Sequence, residues 1–204
     1  MKGLLLKDWY LTLKYSRSLW IIAGVFLFVS MVGGNDGNAF FRLYPCVMIG
    51  MLPMQVLTYD DAEKWTSYVQ AFPVSREGFV TSKYLFGIMA IAAFLAVMTL
   101  LYLAFGAPGL KDAALFLLTF GVFLPSVMMP LVFRFGAEKG RVFYLIAIGT
   151  GAGLVSFLTV SMVSGAGLPR VISAVPDWAV CLASLALYAI SWRLSVALYR
   201  RREL

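Results

Sequence analysis

The chain has 204 residues, of which 61% are hydrophobic and 13% charged, and its formal net charge is +7. Soluble domains carry about 25% charged residues, so this composition excludes a soluble globular protein and indicates a polytopic membrane protein. The basic net charge does not indicate nucleic-acid binding, because the basic residues follow a membrane topology. With no His and two Cys in apolar runs, a zinc site is disfavoured. Cys46 and Cys181 are expected to be small buried hydrophobic residues, with a disulfide between them as the alternative.

The N-terminal segment, residues 1–17, carries too many charges to cross a bilayer. On a helical wheel one side holds Leu5, Leu6, Trp9 and Leu13, and Lys7 and Lys14 project from the opposite side. This pattern predicts a helix that lies in the membrane interface with its lysines toward anionic headgroups, and a solvated N-terminal arm is the alternative. The predicted interfacial residues are Leu5, Leu6, Lys7, Trp9, Leu13 and Lys14.

Six apolar runs follow, each close to the ~20 residues that a helix needs to cross a membrane. Prolines in the second and fourth runs predict kinks or local unwinding there. We therefore predict an all-α membrane protein with six transmembrane helices in a single domain, residues 1–204. The runs cover residues 18–32, 40–57, 84–105, 113–133, 142–163 and 178–199.

The basic residues predict the orientation of the chain. All but three of the 17 fall on the same side of this topology as both termini. The exceptions are Arg42, Lys111 and Arg170. Because basic loops remain in the cytoplasm, both termini and the polar stretch at residues 59–83 are predicted to be cytoplasmic.

That stretch lies between the second and third apolar runs and is the longest polar interval in the chain. Asp60 is positioned to cap a short helix, and Glu63 occupies the capping-box position three residues later. Pro73 ends this helix. Ser75 is then positioned to cap a second helix that begins at Arg76 and continues into the bilayer.

The short helix is predicted to carry an aromatic face. Trp65, Tyr68 and Phe72 recur at helical spacing on one side. Two interpretations fit this face equally well. A soluble partner could push on the helix and so move the adjoining span, or the aromatic side chains could rest among lipid headgroups.

The apolar runs lack the residues that most transport and catalytic mechanisms require. Apart from positions near their ends, none contains Asp, Glu, Lys or Arg. Ionisable groups inside the membrane mark proton relays and ion sites, so a gradient-driven carrier is disfavoured. The chain also has no phosphate-loop motif and no hydrolase motif. We predict no catalytic residue, no metal and no cofactor bound by this chain.

Two stretches carry a resemblance to a known family, MKGLLLKDWYLTLK at the N-terminus and DDAEKWTSYVQAFPVSREGFVTSKYL after the second run. With six predicted spans and a short basic tail, the chain resembles the ABC-2-type transporter permeases. More narrowly, it is similar to the small six-span permeases of bacterial ABC exporters that work with a separately encoded ATPase. This resemblance implies an elbow helix at residues 1–17 on the inner leaflet and a cytoplasmic coupling helix within residues 59–83.

The resemblance also implies partners. Two permease chains, identical or paralogous, would assemble with two ATPase chains in the bacterial cytoplasmic membrane, and ATP and Mg²⁺ would be bound by the ATPase. The expected function is a non-catalytic permease subunit that exports an amphipathic peptide or a lipid-like molecule. The alternatives are an ATPase-independent channel or carrier, and a membrane anchor that recruits a cytoplasmic partner.

Within the coupling segment the side chains are expected to divide their roles. Aromatic residues would anchor the segment in a groove of the ATPase, charged residues would set register at the rim, and the turn would fix the angle to the next span. The anchors would be Trp65, Tyr68 and Phe72, the rim charges Asp61, Glu63 and Lys64, and the turn residues Pro73 and Arg76.

Overall fold

All regular structure in the described part of the computed structural model is helical. The described residues are 2–32, 39–63, 65, 75–106, 109–136, 142, 146, 149 and 177–200. The helices bounded within them are α1 (Lys2–Tyr15), α2 (Arg17–Val32), α3 (Ala39–Gly50), α4 (Leu52–Ala62), α5 (Arg76–Phe105), α6 (Leu110–Phe135) and α7 (Asp177–Arg200).

Three helices in these ranges are long and apolar enough to cross a membrane, and they lie in α5, α6 and α7. Helices α1 and α2 would together make a fourth, but they are bent by 72° relative to each other. An all-helical membrane protein is therefore confirmed. Of the six predicted spans, three or four are found in the described residues, and the predicted fifth run lies almost wholly outside them.

The predicted second span is divided into two helices, α3 and α4, which meet at Met51. Pro53 explains the division, because proline has no N–H to donate and its ring crowds the carbonyl of Ile49 four residues earlier. Met51 itself keeps a helical conformation, with φ −79° and ψ −18°. Neither helix alone reaches ~20 residues, and α4 continues to Ala62, beyond the predicted end of the span.

Helix α5 begins at the predicted residue. The Ser75 hydroxyl accepts a hydrogen bond from the Gly78 N–H at 3.1 Å, so the predicted N-cap is confirmed. The helix ends at Gly106, whose φ of 60° is the left-handed conformation that favours glycine at a C-cap. With 30 residues, α5 is about 45 Å long. That length exceeds the ~30 Å hydrocarbon core, so its first turns extend beyond the apolar layer.

Helices α5 and α7 run antiparallel and are joined by polar contacts at one end. Glu77 and Arg200 form an ion pair, and the Tyr84 hydroxyl lies 2.7 Å from the hydroxyls of both Ser191 and Ser195. We call this end of the bundle the base, formed by residues 76–84 of α5 and 191–200 of α7. The end of α6 also reaches the base, where the Phe133 and Tyr199 rings lie 5.4 Å apart.

The N-terminal helices follow α5 away from the base and return to it. Helix α2 runs in the same direction as α5, and the Ser30 and Tyr102 hydroxyls lie 3.3 Å apart. Helices α3 and α4 run back in the opposite direction, and Gln55 of α4 accepts a hydrogen bond from Ser16 at the α1–α2 bend. Residues near both chain ends therefore lie at the same end of the bundle.

No disulfide joins Cys46 and Cys181, and Cys181 is only partly buried. Cys46 is buried among apolar side chains of the core. Its interpretation as a small buried hydrophobic residue is therefore confirmed.

Helices α4, α5 and α7 approach one another closely at Gly87. A Cβ atom at this position would lie 2.9 Å from the Tyr188 hydroxyl and 3.0 Å from Cγ of Pro53. Neither neighbour moves easily, because the proline ring is rigid and the tyrosine hydroxyl donates a 2.7 Å hydrogen bond to the Tyr84 carbonyl. Only glycine fits here without displacement.

We expect Gly87→Ala to destabilise the protein by about 1–3 kcal/mol, the usual cost of overpacking a tight core. Gly24→Ala is the matched control, since a Cβ there meets nothing within 4 Å and both changes give the same gain in helix propensity. Thermal unfolding of both variants in detergent measures the difference. Equal midpoints for the two variants would show that this contact does not limit the packing.

Candidate functional site

Four ionisable side chains from three helices meet just inside the base. Lys83 of α5 donates to Asp8 of α1 at 2.8 Å and to Asp60 of α4 at 2.5 Å. Lys7 donates to the other oxygen of Asp60, also at 2.5 Å. We call Lys7, Asp8, Asp60 and Lys83 the charged cluster. Since it holds two cations and two anions, its formal charge is zero when all four are ionised.

The charged cluster is almost entirely removed from solvent. The side chains of Asp8, Lys83 and Asp60 are 0%, 1% and 2% exposed, and that of Lys7 is 23% exposed. Buried ions lose several kcal/mol of hydration each, which close pairing offsets only when the geometry is good. The distances here meet that condition for Lys83, whose ammonium is shared between two carboxylates.

Asp8 is the least well satisfied member of the charged cluster. Its second carboxylate oxygen, Oδ2, is buried and has no hydrogen-bond partner among the described residues. Burial raises the pKa of Asp8 above its ordinary value, and the adjacent Lys83 ammonium opposes that rise. The ion pair with Lys83 is therefore the main interaction that keeps a charged carboxylate favourable at this position.

Trp65 connects the charged cluster to the chain beyond α4. The Lys7 ammonium lies 4.5 Å from the centroid of the Trp65 ring, a distance typical of a cation–π contact. Trp65 is half-buried and packs against the core of its own chain. It thus fixes the start of the α4–α5 connection, residues 63–75, against α1. The other predicted anchors and turn residues in this connection, and Lys64, lie outside the described residues; they are Tyr68, Phe72 and Pro73.

The predicted capping box at Asp60 is wrong. Helix α4 continues through Asp60 and Asp61 to Ala62, and Glu63 is its C-cap, with a backbone N–H directed back to the Tyr59 and Asp61 carbonyls. The last residues of the second apolar run and the polar residues after it form one helix, so Asp60 lies in its last turn, where its carboxylate binds Lys7 and Lys83. Arg76 lies at the start of α5 and donates to the Arg200 carbonyl at 3.2 Å.

The predicted interfacial residues of α1 divide between two environments. Leu5 and Trp9 pack against the core, whereas Leu6 and Leu13 are 61% and 43% exposed. Lys14 is also exposed. Lys7 differs from the wheel-based expectation, because it turns toward Asp60 and Trp65 and not toward headgroups.

The sequence does not reveal Asp8 and Lys83 as a pair. They are 75 positions apart, and Lys83 stands at the end of the polar stretch 59–83, where it resembles any basic residue of a cytoplasmic loop. The available signal was weak, since Lys83 directly precedes an apolar run and Asp8 interrupts an N-terminal segment rich in Leu. In the described part of the chain, no group of three or more His, Cys, Asp or Glu side chains is placed to hold a metal ion.

Removal of Lys83 tests the charged cluster directly. We expect Lys83→Met to cost about 3–5 kcal/mol, because it leaves two buried carboxylates with only Lys7 to pair them. Adding Asp8→Asn and Asp60→Asn to that variant should recover much of the loss, since the uncompensated charges are then gone. Thermal unfolding and the monodisperse fraction after purification measure both effects, with exposed Lys14→Met as the control. No loss in Lys83→Met would show that the charged cluster does not hold the helices together.

A family model described as ABC-2 family transporter protein matches residues 3–200 of the chain. No curated protein matches it. The matched region includes the charged cluster and the three helices that, within the described ranges, are long enough to cross a membrane. A membrane domain of this kind is the permease component of an ABC transporter, which agrees with the apolar helical structure. The chain therefore belongs to the ABC-2 transporter family.

Proposed function

We propose that this chain is the non-catalytic permease subunit of an ATP-driven exporter and that the α4–α5 connection receives movement from a partner ATPase. The observation that carries this proposal is the charged cluster. It clamps together the two helix ends between which the connection lies, within a chain whose family is that of ABC transporter membrane domains.

The charged cluster gives a reason why a push on the connection would move more than one helix. Asp60 lies in the last turn of α4, and Lys83 lies two turns inside α5. Their contact closes a loop of chain around the connection, and Asp8 adds α1 to the same unit. Force applied to the connection would therefore displace α1, α4 and α5 together.

In this proposal α1 is the elbow helix on the inner leaflet, and both termini are cytoplasmic. The 72° bend between α1 and α2 supports that placement, since it lets one helix lie along the membrane while the next enters it. The base then faces the cytoplasm, and six spans cross the membrane. The positive-inside distribution of basic residues supports the same orientation.

We assign different tasks to the aromatic residues of the connection. Trp65 packs on its own chain beneath Lys7, so it is suited to hold the connection in place. Tyr68 and Phe72 are therefore the residues that we propose as anchors in a groove of the ATPase. Asp61, Glu63 and Lys64 would supply rim charges, and Pro73 and Arg76 would set the angle between the connection and α5. A docking role for Trp65 stays a prediction.

The working exporter would contain two permease chains and two ATPase chains in a bacterial cytoplasmic membrane. The ATPase would bind ATP and Mg²⁺, and this chain would bind neither. The proposed substrate is an amphipathic peptide or a lipid-like molecule, supported by spans whose predicted interiors carry no charge.

Co-purification tests whether the chain assembles with an ATPase, as the proposal requires. The tagged chain, expressed with its neighbouring genes, should retain a phosphate-loop ATPase in about one-to-one ratio. Tyr68→Ala combined with Phe72→Ala should reduce that recovery and the substrate-stimulated ATPase rate at least tenfold, because truncated aromatic anchors commonly cost 2 kcal/mol or more each.

Tyr10→Ala is the matched control, since Tyr10 is an exposed aromatic residue of α1, 65% accessible, and is not part of the connection. It should leave both measurements unchanged. Normal recovery and stimulation in the double variant would refute docking through these residues. Transport by the purified chain in vesicles without an ATPase would instead support the channel or carrier alternative.

A further inference from the structure

A half-open cavity of about 250 Å³ lies where the α1–α2 bend faces α4. It is distinct from the charged cluster, although Tyr59 and Asp60 are adjacent in α4. Polar side chains form much of its wall: Tyr15, Ser16 and Ser18 from the bend, and Gln55, Thr58 and Tyr59 from α4.

Several hydrogen-bond donors remain available in this cavity. Ser16 donates to the side-chain oxygen of Gln55 at 3.0 Å, which leaves both N–H groups of the Gln55 amide for another partner. Within the described ranges, the hydroxyls of Ser18, Tyr15 and Tyr59 make no hydrogen bond. A ligand rich in acceptor oxygens would satisfy these donors.

Two cations adjoin the lining residues in the chain, Lys14 before Tyr15 and Arg17 between Ser16 and Ser18. The Lys14 ammonium lies 5.3 Å from the centroid of the Tyr15 ring. The guanidinium of Arg17 is exposed and uses Nε to donate to the Leu13 carbonyl at 3.0 Å, so its terminal N–H groups are directed elsewhere. The adjacent carboxylate of Asp60 is already paired with Lys7 and Lys83. Local charge therefore favours an anionic ligand.

We propose that the cavity binds the phosphate group of an anionic phospholipid. At about 250 Å³ it is smaller than the ~300–1,000 Å³ pockets that enclose drug-sized ligands, so it would take a headgroup and not a whole lipid. The exposed apolar side chains of Ile21, Ile22 and Val25 on α2 continue from the bend and offer a surface for the acyl chains. The proposal rests on the interfacial placement of α1 but not on the ATPase.

A lipid at this position would bridge the bend and α4 beside the charged cluster. The protein groups that donate to it come from both walls of the cavity, so binding would favour the bent arrangement of α1 and α2 over others. Anionic phospholipid would therefore stabilise the permease by binding at this site, in addition to the effect that any lipid has as the membrane solvent.

Native mass spectrometry of the full-length protein, delipidated in detergent and then titrated with phosphatidylglycerol, tests this site. The wild type should retain one phosphatidylglycerol per chain and bind phosphatidylcholine at least tenfold more weakly, because the latter headgroup carries its own cation. Arg17→Gln and Gln55→Leu should each weaken phosphatidylglycerol binding about tenfold. Tyr59→Phe and Ser18→Ala remove one hydroxyl each, and they replace Gln55→Leu in the titration if that variant fails to fold.

Arg193→Gln is the matched control, because Arg193 is an exposed cation on α7, away from this cavity. An equal loss of lipid in this variant and in Arg17→Gln would overturn the proposal, since attraction would then be diffuse. Inorganic phosphate at millimolar concentration should not displace the lipid. Displacement by phosphate alone would assign the site to a soluble anion and overturn the lipid assignment. None of these outcomes depends on ATPase docking, so the two proposals fail separately.

Discussion

The ammonium of Lys83, held between the carboxylates of Asp8 and Asp60, is the interaction on which the base of this protein depends. Its importance does not lie in a large net stabilisation, since apolar side chains of similar volume often replace a buried ion pair without loss. What it supplies is specificity. A buried ammonium that must satisfy two carboxylates from different helices permits one arrangement of α1, α4 and α5, and any displacement of one helix exposes an unpaired charge to the protein interior.

The bilayer makes such polar contacts more decisive than they would be in a soluble bundle. Lipid tails are as apolar as leucine side chains, so helices in a membrane gain little from burying apolar surface against each other. Close packing and hydrogen bonds must select the partners. Both occur here: Gly87 brings α5 against Pro53 and Tyr188, and the Tyr84 hydroxyl binds two serines of α7. Among the described residues, these contacts lie at the base or next to it, where the proposed force from an ATPase would enter.

The sequence predicted the local features of the fold well and the contacts between distant residues poorly. Ser75 was recognisable as an N-cap because capping needs only neighbouring residues. The division of the second span near Pro53 agrees with the predicted kink or local unwinding, which follows from the missing N–H of proline, whereas α4 extends beyond the predicted end of the span. The capping box at Asp60 was a wrong prediction because Glu63, three residues later, satisfies the local sequence pattern. The residue that Asp60 binds, Lys83, is 23 positions away. No periodicity encodes that contact, nor the one between Lys7 and Trp65.

The charged cluster also changes the physical reason for disfavouring a gradient-driven carrier. The sequence showed apolar runs without ionisable groups, yet three nearly inaccessible charges lie where α1, α4 and α5 meet. A coupling site must bind and release an ion or proton and face each side of the membrane in turn. In the charged cluster the Lys83 ammonium pairs with both carboxylates, and Lys7 also pairs with Asp60. All four side chains lie near the base. Such mutual pairing fits a contact that holds helices in register, which agrees with the proposal that a partner ATPase supplies the energy for movement.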